Sequence, residues 1–501
     1  MRERGWLGVL GVCVLGTLIG CSDVVQYGGE PSVDGATPQG GHDDALGDEV
    51  SNGTSPGEPM VREEGLDFAT CGPEKTWDVP SGSWFSGAGL FDISPNGALL
   101  VWSGEFMHGQ IYNMEDGALE FQLAQPMYRH SMDAAWRQQL RAQWGEQSAG
   151  LYDMMTGELL LPLDAHTMYK HNMALSEDGA WAASYGCLDG SESQIKIWSV
   201  ADNRLVLTVD LAHDCMGHGW ASRPMMALTP GGDALLLAAG SEELVRVDLA
   251  SGSWRSTVAH PPVDEEVQFW GYSGLILDMV IHPSGDRVAT VGLDGVVRQW
   301  ALPGLEPVGE EFEAGVSAIN QDSYLPSTES PLAWSPDGTL LAYVSPEGDV
   351  KVRRLADGEE VFVQERFPLE PEAQQWEGNA PVFMRFTRDG GGFAVAFENR
   401  VVLWQCPERV TPAPGGEVEV QLTGPTQIQV GESSLFSAAA PDLGDTFHGY
   451  SFLVDGNPGG WVHASGEMEW QPTEPGTYTL TVEVTDGLRR GSVSRIVEVV
   501  P

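Results

Sequence analysis

Basic side chains are scarce in this sequence: 26 Lys+Arg face 72 Asp+Glu across 501 residues, leaving a formal charge of −46. A surface this acidic repels phosphate backbones at long range, which excludes nucleic acid as a partner. No Gly-x-Ser-x-Gly elbow, Walker loop, His-Glu-x-x-His helix or dinucleotide fingerprint occurs, so no catalytic or cofactor-binding residue is assigned. Cysteine is sparse, with six residues. The nearest approach to a metal cluster is His213-Asp214-Cys215-Met216-Gly217-His218, and no second group of ligands with matching spacing accompanies it. No cofactor or metal is therefore expected. Long apolar runs are missing too. The longest, Gly5 to Gly20, has 16 residues, short for a helix crossing a bilayer core of about 30 Å.

Hydrophobic residues make up 42% of the chain, enough for real cores, and the length suggests roughly two to four structural units. The apolar run follows Arg2 and Arg4 and ends in small residues, the layout of a secretory signal over residues 1–20. Its last residues, Leu18-Ile19-Gly20-Cys21, resemble the lipobox of bacterial lipoproteins at all four positions. The resemblance implies diacylglycerol on the Cys21 thiol, cleavage before it and acylation of the new amino terminus. Such an anchor holds a protein on a membrane well, because each buried CH₂ contributes about 0.8 kcal/mol. Ser22 follows, and a non-Asp residue there goes with outer-membrane sorting in many Gram-negative bacteria. The expected location is the bacterial cell envelope, lipid-anchored, with its periplasmic or surface face open.

Residues 22–70 carry 11 acidic residues against one basic residue, Arg62, and few large apolar groups. Such a segment cannot bury enough apolar surface to offset its ordering entropy, so 21–70 reads as a disordered acidic tether. As a flexible coil of about 45 residues it would reach roughly 35–40 Å.

From Leu90 to Cys406 the sequence repeats. Alternating apolar residues lead into a four-residue turn, a second strand, another turn and a third strand. The opening turns are Ser94-Pro95-Asn96-Gly97, Ser176-Glu177-Asp178-Gly179, Thr229-Pro230-Gly231-Gly232, His282-Pro283-Ser284-Gly285, Ser335-Pro336-Asp337-Gly338 and Thr387-Arg388-Asp389-Gly390. The first gap, 82 residues, is twice 41 and predicts a degenerate copy starting near Ala135; later gaps are 52 or 53. Met127-Tyr128-Arg129-His130-Ser131-Met132 recurs 41 residues on as Met168-Tyr169-Lys170-His171-Asn172-Met173, which supports that copy. Seven copies result. Asp-Gly pairs, among them 116–117, 294–295 and 337–338, supply the positive φ that tight hairpins require.

The third strands carry an aromatic or apolar residue at a fixed place: Ile111-Tyr112-Asn113, Leu151-Tyr152-Asp153, Ile197-Trp198-Ser199, Val245-Arg246-Val247-Asp248, Arg298-Gln299-Trp300 and Leu403-Trp404-Gln405. These residues resemble WD-repeat β-propellers. The sequence departs from that pattern: the Trp-Asp pair is never intact at the end of a third strand, Arg353 stands where copy six should carry its aromatic, and Gly-His is not regularly placed. The resemblance implies a seven-bladed β-propeller over 71–408. A unit of about 40 residues forms one four-stranded sheet whose faces are buried only by stacking on neighbours. Large Trp and Tyr side chains would fill the wedges between blades. Closure removes exposed edges, which favours a ring over an open solenoid or sandwich.

Besides Cys21, the exported chain retains Cys71, Cys187, Cys215 and Cys406, and its compartment permits disulfides. Four cysteines allow three pairings. The propeller resemblance selects among them, because in a closed ring the first strand completes the last blade. Cys71 would then bridge to Cys406, and Cys187 to Cys215. A crosslink closing so long a loop could contribute about 4–5 kcal/mol.

Pro412-Ala413-Pro414-Gly415-Gly416 breaks the repeat. Strands are expected at Glu417–Leu422, Ser434–Ala438, Tyr450–Val454, Glu467–Trp470, Thr477–Thr485 and Val493–Val500, a β-sandwich over 415–501. Trp470-Gln471-Pro472-Thr473, Gly476-Thr477-Tyr478 and Thr485-Asp486-Gly487 resemble bacterial immunoglobulin-like and polycystic-kidney-disease-type repeats, which act as spacers or adhesion modules. Asp486 reads as a turn residue, with calcium ligation the alternative.

The fold class is therefore all-β: a seven-bladed propeller followed by a small β-sandwich, behind a disordered tether. His130 and His171 occupy equivalent places just before the first strand of their copies, and His218 precedes the next. Together they would line a channel mouth, although repeat duplication accounts for the first two without function. The expected role is a binding or scaffolding module for a protein or glycan partner, with Pro261–Gly274 and Glu310–Thr328 as its recognition rim. The alternative is a propeller enzyme, a hydrolase or lyase acting on envelope or extracellular polymers, its site built from scattered loop residues.

Overall fold

The computed structural model describes residues 75–79, 90–103, 107–127, 129–142, 149–163, 170–188, 192–214, 225–238, 242–262, 275–315, 331–364, 381–397, 400–405, 417–444, 446–458 and 466–501. All belong to the unit Glu58–Pro501. The signal segment, Cys21 and the acidic stretch lie outside the described residues, as do Cys71, Cys215, His218, Cys406 and most of the two rim loops.

The first strand, β1 (Lys75–Asp78), is separated in sequence from the blade it joins. Blade one then holds β2 (Leu90–Ile93), β3 (Leu99–Ser103), β4 (Met107–Asn113) and β5 (Leu119–Met127). Blade two holds β6 (Arg129–Met132), β7 (Gln138–Ala142), β8 (Ala149–Asp153) and β9 (Leu159–Leu163). Blade three is β10 (Lys170–Leu175), β11 (Trp181–Leu188), β12 (Glu192–Ser199) and β13 (Arg204–Asp214). Blade four is β14 (Met225–Leu228), β15 (Ala234–Ala238), β16 (Glu243–Asp248) and β17 (Trp254–Val258). Blade five has β18 (Ile276–Ile281), β19 (Arg287–Gly292), β20 (Val296–Ala301) and two short outer pieces, β21 (Glu306–Pro307) and β22 (Phe312–Glu313). Blade six is β23 (Ala333–Trp334), β24 (Leu340–Val344), β25 (Val350–Arg354) and β26 (Glu360–Gln364). Blade seven takes β27 (Pro381–Phe386), β28 (Gly392–Phe397) and β29 (Arg400–Gln405) from its own copy.

The fourth strand of blade seven is β1, which pairs antiparallel with β29 in the register Lys75 to Leu403 and Asp78 to Arg400. The chain thus closes on itself. Closure also shows in the packing. Val79, Phe91, Ile93 and Trp102 of the early chain share one core with Ala394, Val401 and Leu403 of blade seven. The blade aromatics fill the inter-blade wedges as expected: Trp198 packs on blade two, Trp300 on blade four and Trp404 on blade six.

The opening turns repeat one hydrogen-bond plan. In blade six the Ser335 hydroxyl donates to Asp337 Oδ1 (2.5 Å) and accepts the Leu340 N–H (2.9 Å); Ser176, Asp178 and Trp181 repeat this in blade three. Gly338 closes its turn at φ 70°, and a Cβ there would strike His282 of the preceding blade. Only glycine meets both demands at that place.

The degenerate copy begins at Asp133, two residues before the expected Ala135. Its turn is Asp133-Ala134-Ala135-Trp136, closed by the Trp136 N–H on the Asp133 carbonyl (3.2 Å). Trp136 occupies the glycine position and takes φ 56°. The offset arises because the 82 residues between flanking turns are divided unequally rather than into two units of 41.

The C-terminal unit is a two-sheet sandwich. One sheet is β30 (Gln421–Thr423), β32 (Ser434–Ala439) and β35 (Glu467–Trp470); the other is β31 (Gln427–Gln429), β37 (Arg490–Val500), β36 (Gly476–Thr485), β33 (Gly449–Val454) and β34 (Asn457–Pro458). Phe436, Leu480, Val482 and Val497 form its fully buried centre. The predicted strand at Glu417–Leu422 begins only at Gln421, and β37 starts three residues before the predicted Val493. Among the described residues, no helix is long and apolar enough to cross a membrane.

Candidate functional site

Within each blade the first strand runs toward the four-residue turn and the third strand runs toward a second turn at the same end. One face of the ring therefore carries these tight turns. The opposite face carries the connections from each fourth strand to the next blade, where lengths vary. His130 lies on β6 and His171 on β10, the first strands of neighbouring blades, and both stand at the beginning of the strand, toward the loop-bearing face. The structure brings the two strands side by side. The side chains of both histidines, and the whole of His218, lie outside the described residues. Cys187 is on β11; its expected partner Cys215, and the pair Cys71 and Cys406, fall outside them.

The sequence reading missed a buried polar network in blade five. His260 is fully buried, with Nε2 at 2.9 Å from Thr290 Oγ1 and Nδ1 at 2.8 Å from Asp294 Oδ1. The Trp300 indole N–H donates to the same Thr290 hydroxyl (3.0 Å), and Arg298 donates to Asp294 Oδ2 (2.5 Å). Arg298 Nη1 also lies 2.8 Å from His260 Nδ1, so His260, Asp294 and Arg298 meet at one end of the network while Thr290 and Trp300 meet at the other. Burial pushes the Asp294 carboxyl up, but the bonds and charges of His260 and Arg298 outweigh it and hold the group below its usual range. The network ties the end of blade four to the second and third strands of blade five. A signal was present in the sequence: His260 stands forty residues before Trp300, with the Asp294-Gly295 turn between them.

On the turn face, the sandwich is docked against blades one and two. Phe447 inserts into a cluster with Leu99, Phe121, Trp136 and Met154. Its ring lies 5.8 Å from Phe121 and 5.2 Å from Trp136. The Trp136 indole donates to Asp92 Oδ2 of blade one (2.9 Å). The Asp486-Gly487 turn seats on blade one. Asn96 donates to the Asp486 carbonyl (3.0 Å), and a Cβ on Gly487 would stand 2.8 Å from that of Ala98. Arg490 of the sandwich forms an ion pair with Glu120 of blade one.

The Asp486 carboxylate is occupied within its own turn. Oδ1 accepts the N–H groups of Leu488 (2.9 Å) and Arg489 (2.7 Å), and Oδ2 meets the Arg489 guanidinium at 2.8 Å. The reading of Asp486 as a turn residue thus describes what it does. His448, next to Phe447, is buried with Nε2 at 3.0 Å from the Tyr450 hydroxyl, and burial lowers its pKa below the ordinary histidine value. Among the described residues no group of three or more His, Cys, Asp or Glu is arranged to hold a metal ion.

Seven blades, six of them four-stranded and the fifth with its outer strand in two pieces, closed by the first strand, define a WD-repeat-like β-propeller carrying a C-terminal sandwich. Residues 265–301 match the family "WD domain, G-beta repeat". The chain is similar to eukaryotic translation initiation factor 3 subunit I of Brugia malayi, at 25% identity over 206 residues, 38% of this chain and 58% of that protein. It therefore spans less than two thirds of that relative's length. A solved structure, the Cps50 (Swd1) β-propeller domain of Myceliophteria thermophila, superposes with a TM-score of 0.46 at 15% identity, over 66% of this chain and 99% of that one.

Proposed function

We propose that this chain is a lipid-anchored protein of the bacterial cell envelope that holds a partner on the loop-bearing face of its propeller. The observation that carries the reading is the position of the sandwich. It covers the turn face at blades one and two through Phe447, Asp486 and Arg490, and leaves the opposite face to present the connections of varying length. Connections on a rigid scaffold are where binding residues concentrate. The relative found by sequence is by name a subunit of a larger factor, in keeping with a propeller that works by holding other macromolecules. The anchor rests on the resemblance of Leu18-Ile19-Gly20-Cys21 to a lipobox, and Ser22 points to the outer membrane.

Two measurements test this. Metabolic labelling with a fatty acid should modify the wild-type chain and not the Cys21→Ser variant. Crosslinking in intact envelopes should recover a protein or glycan partner that is lost when the segment Pro261–Gly274 is replaced by a short Gly-Ser linker. An unlabelled wild-type chain rejects the anchor, and a partner indifferent to the loop rejects the binding face.

A further inference from the structure

One inter-blade layer changes character at blades four and five, and in blade five it holds the buried Gln299. The third residue before the one whose N–H closes each blade's turn is Ile111, Leu151, Ile197 and Val352 in blades one, two, three and six. Each faces an apolar residue on the fourth strand: Phe121, Leu161, Leu207 and Phe362. In blade four the same register sets Arg246 opposite Arg255. Like charges directly opposite in a sheet are destabilising, and an arginine in a core layer loses its hydration.

The local surroundings satisfy Arg246 only in part. The residue is 6% exposed, and its Nε is buried without a hydrogen-bond partner. The nearest carboxylate oxygens, on Asp233 and Asp248, lie 3.7 Å from its Nη2, beyond hydrogen-bonding distance. Both carboxylates are engaged elsewhere: Thr229 donates to Asp233 Oδ1 (2.5 Å) and Ser251 to Asp248 Oδ1 (2.7 Å). Where blades one, two, three and six pack apolar side chains, a cavity of about 490 Å³ opens between blades four and five, with both arginines in its wall. Ser253 adds a hydroxyl at the rim, and Leu302 and Pro303 of blade five supply an apolar wall. The volume falls within the range of small-molecule sites, roughly 300–1,000 Å³.

We infer that this cleft binds a sugar acid. Two guanidinium groups take a carboxylate, which their planar donors match in pairs. Asp233, Asp248 and the Ser and Thr hydroxyls meet the ring hydroxyls beside it, and the Pro303 side meets the ring's apolar face. A bare phosphate would use the arginines but leave the carboxylates facing its charge. A neutral sugar would leave the arginines unpaired. The site lies among turn residues of blades four and five and is independent of any partner on the loop-bearing face.

Titration calorimetry on the full chain tests the inference with D-galacturonate, D-galactose and inorganic phosphate as probes. Galacturonate should bind saturably, and galactose and phosphate about tenfold more weakly or not at all, the loss expected when a charge-assisted pair is removed. Arg246→Leu should abolish galacturonate binding. The double variant Arg246→Leu with Arg255→Leu restores the apolar pair of blade three; it should fold, melt at or above the wild-type temperature, and show no galacturonate-dependent rise in melting. Equal binding of the three probes, no binding of galacturonate, or binding unchanged in the Arg246→Leu variant would overturn the assignment. A double variant that melts below wild type would also overturn it, because the arginines would then be structural.

Discussion

The rings of Trp136 and Phe447 meet edge to face, their centroids 5.2 Å apart at an interplanar angle of 76°, one on a propeller turn and the other in the sandwich. The contact explains why a tryptophan tolerates φ 56° where other blades use glycine. A non-glycine residue in the left-handed region costs roughly 1–2 kcal/mol, and burying the Trp136 ring against Phe447 offsets it.

Phe447→Ala should therefore cost about 3–5 kcal/mol, the usual range for emptying a buried aromatic site. The wild-type chain is expected to lose propeller and sandwich in a single denaturant transition. The variant should separate them into two, read by tryptophan fluorescence and far-ultraviolet circular dichroism. Trp136→Gly, which relieves the backbone but removes the ring, should also destabilise. A Trp136→Gly protein more stable than wild type would show that the turn, not the clasp, dominates at this position.

Acid should loosen the same contact. Burial holds the His448 pKa below its unfolded value of about 6.5, so the neutral ring is the folded form. As pH falls below about 6.5, the unfolded chain takes up a proton before the folded one, and stability drops toward the folded pKa. Above 6.5 this contribution is complete. His448→Gln should flatten the slope of unfolding free energy between about pH 7 and 5; an unchanged slope would remove His448 from the account.

The Thr290 hydroxyl serves both Trp300 and His260. Thr290→Val leaves two buried polar groups unpaired and should cost about 1–3 kcal/mol for each. Asp294→Ala removes one partner from each of His260 and Arg298, which keep Thr290 and Glu311, and should cost about 1–3 kcal/mol at neutral pH. Because the folded Asp294 pKa is depressed, its stabilisation is present above the unfolded value of about 4 and is lost as pH falls through the folded one. The gap between wild type and Asp294→Ala should accordingly narrow below about pH 4, measured by urea unfolding across pH.

What the sequence revealed was local chemistry. The Ser335-Pro336-Asp337-Gly338 type of turn carries its own hydrogen bonds within six residues, so its recurrence marked six blades directly. The seventh showed as a gap and in the recurrence of Met127–Met132 as Met168–Met173, because Trp136 replaces the glycine that would have marked its turn. Strand Glu467–Trp470 was legible from alternation alone. The His260 network was overlooked despite its forty-residue spacing to Trp300, since its members are split between two copies of the repeat. The pair Arg246 and Arg255 carries no sequence signature at all; it emerges from the register of β16 on β17. Phe447 was equally silent, because nothing in its neighbourhood announces that Trp136, more than 300 residues earlier, is its partner.

Ring closure by the first strand underlies every other statement, and Lys75 lies directly opposite Leu403 in the closing pair. Cys71 precedes that pair by four residues and Cys406 follows it by three. Peptide mapping of the exported protein under non-reducing conditions tests the closure most directly. A crosslinked peptide joining Cys71 to Cys406 is the expected result, and Cys71 bonded instead to Cys187 or Cys215 would contradict it.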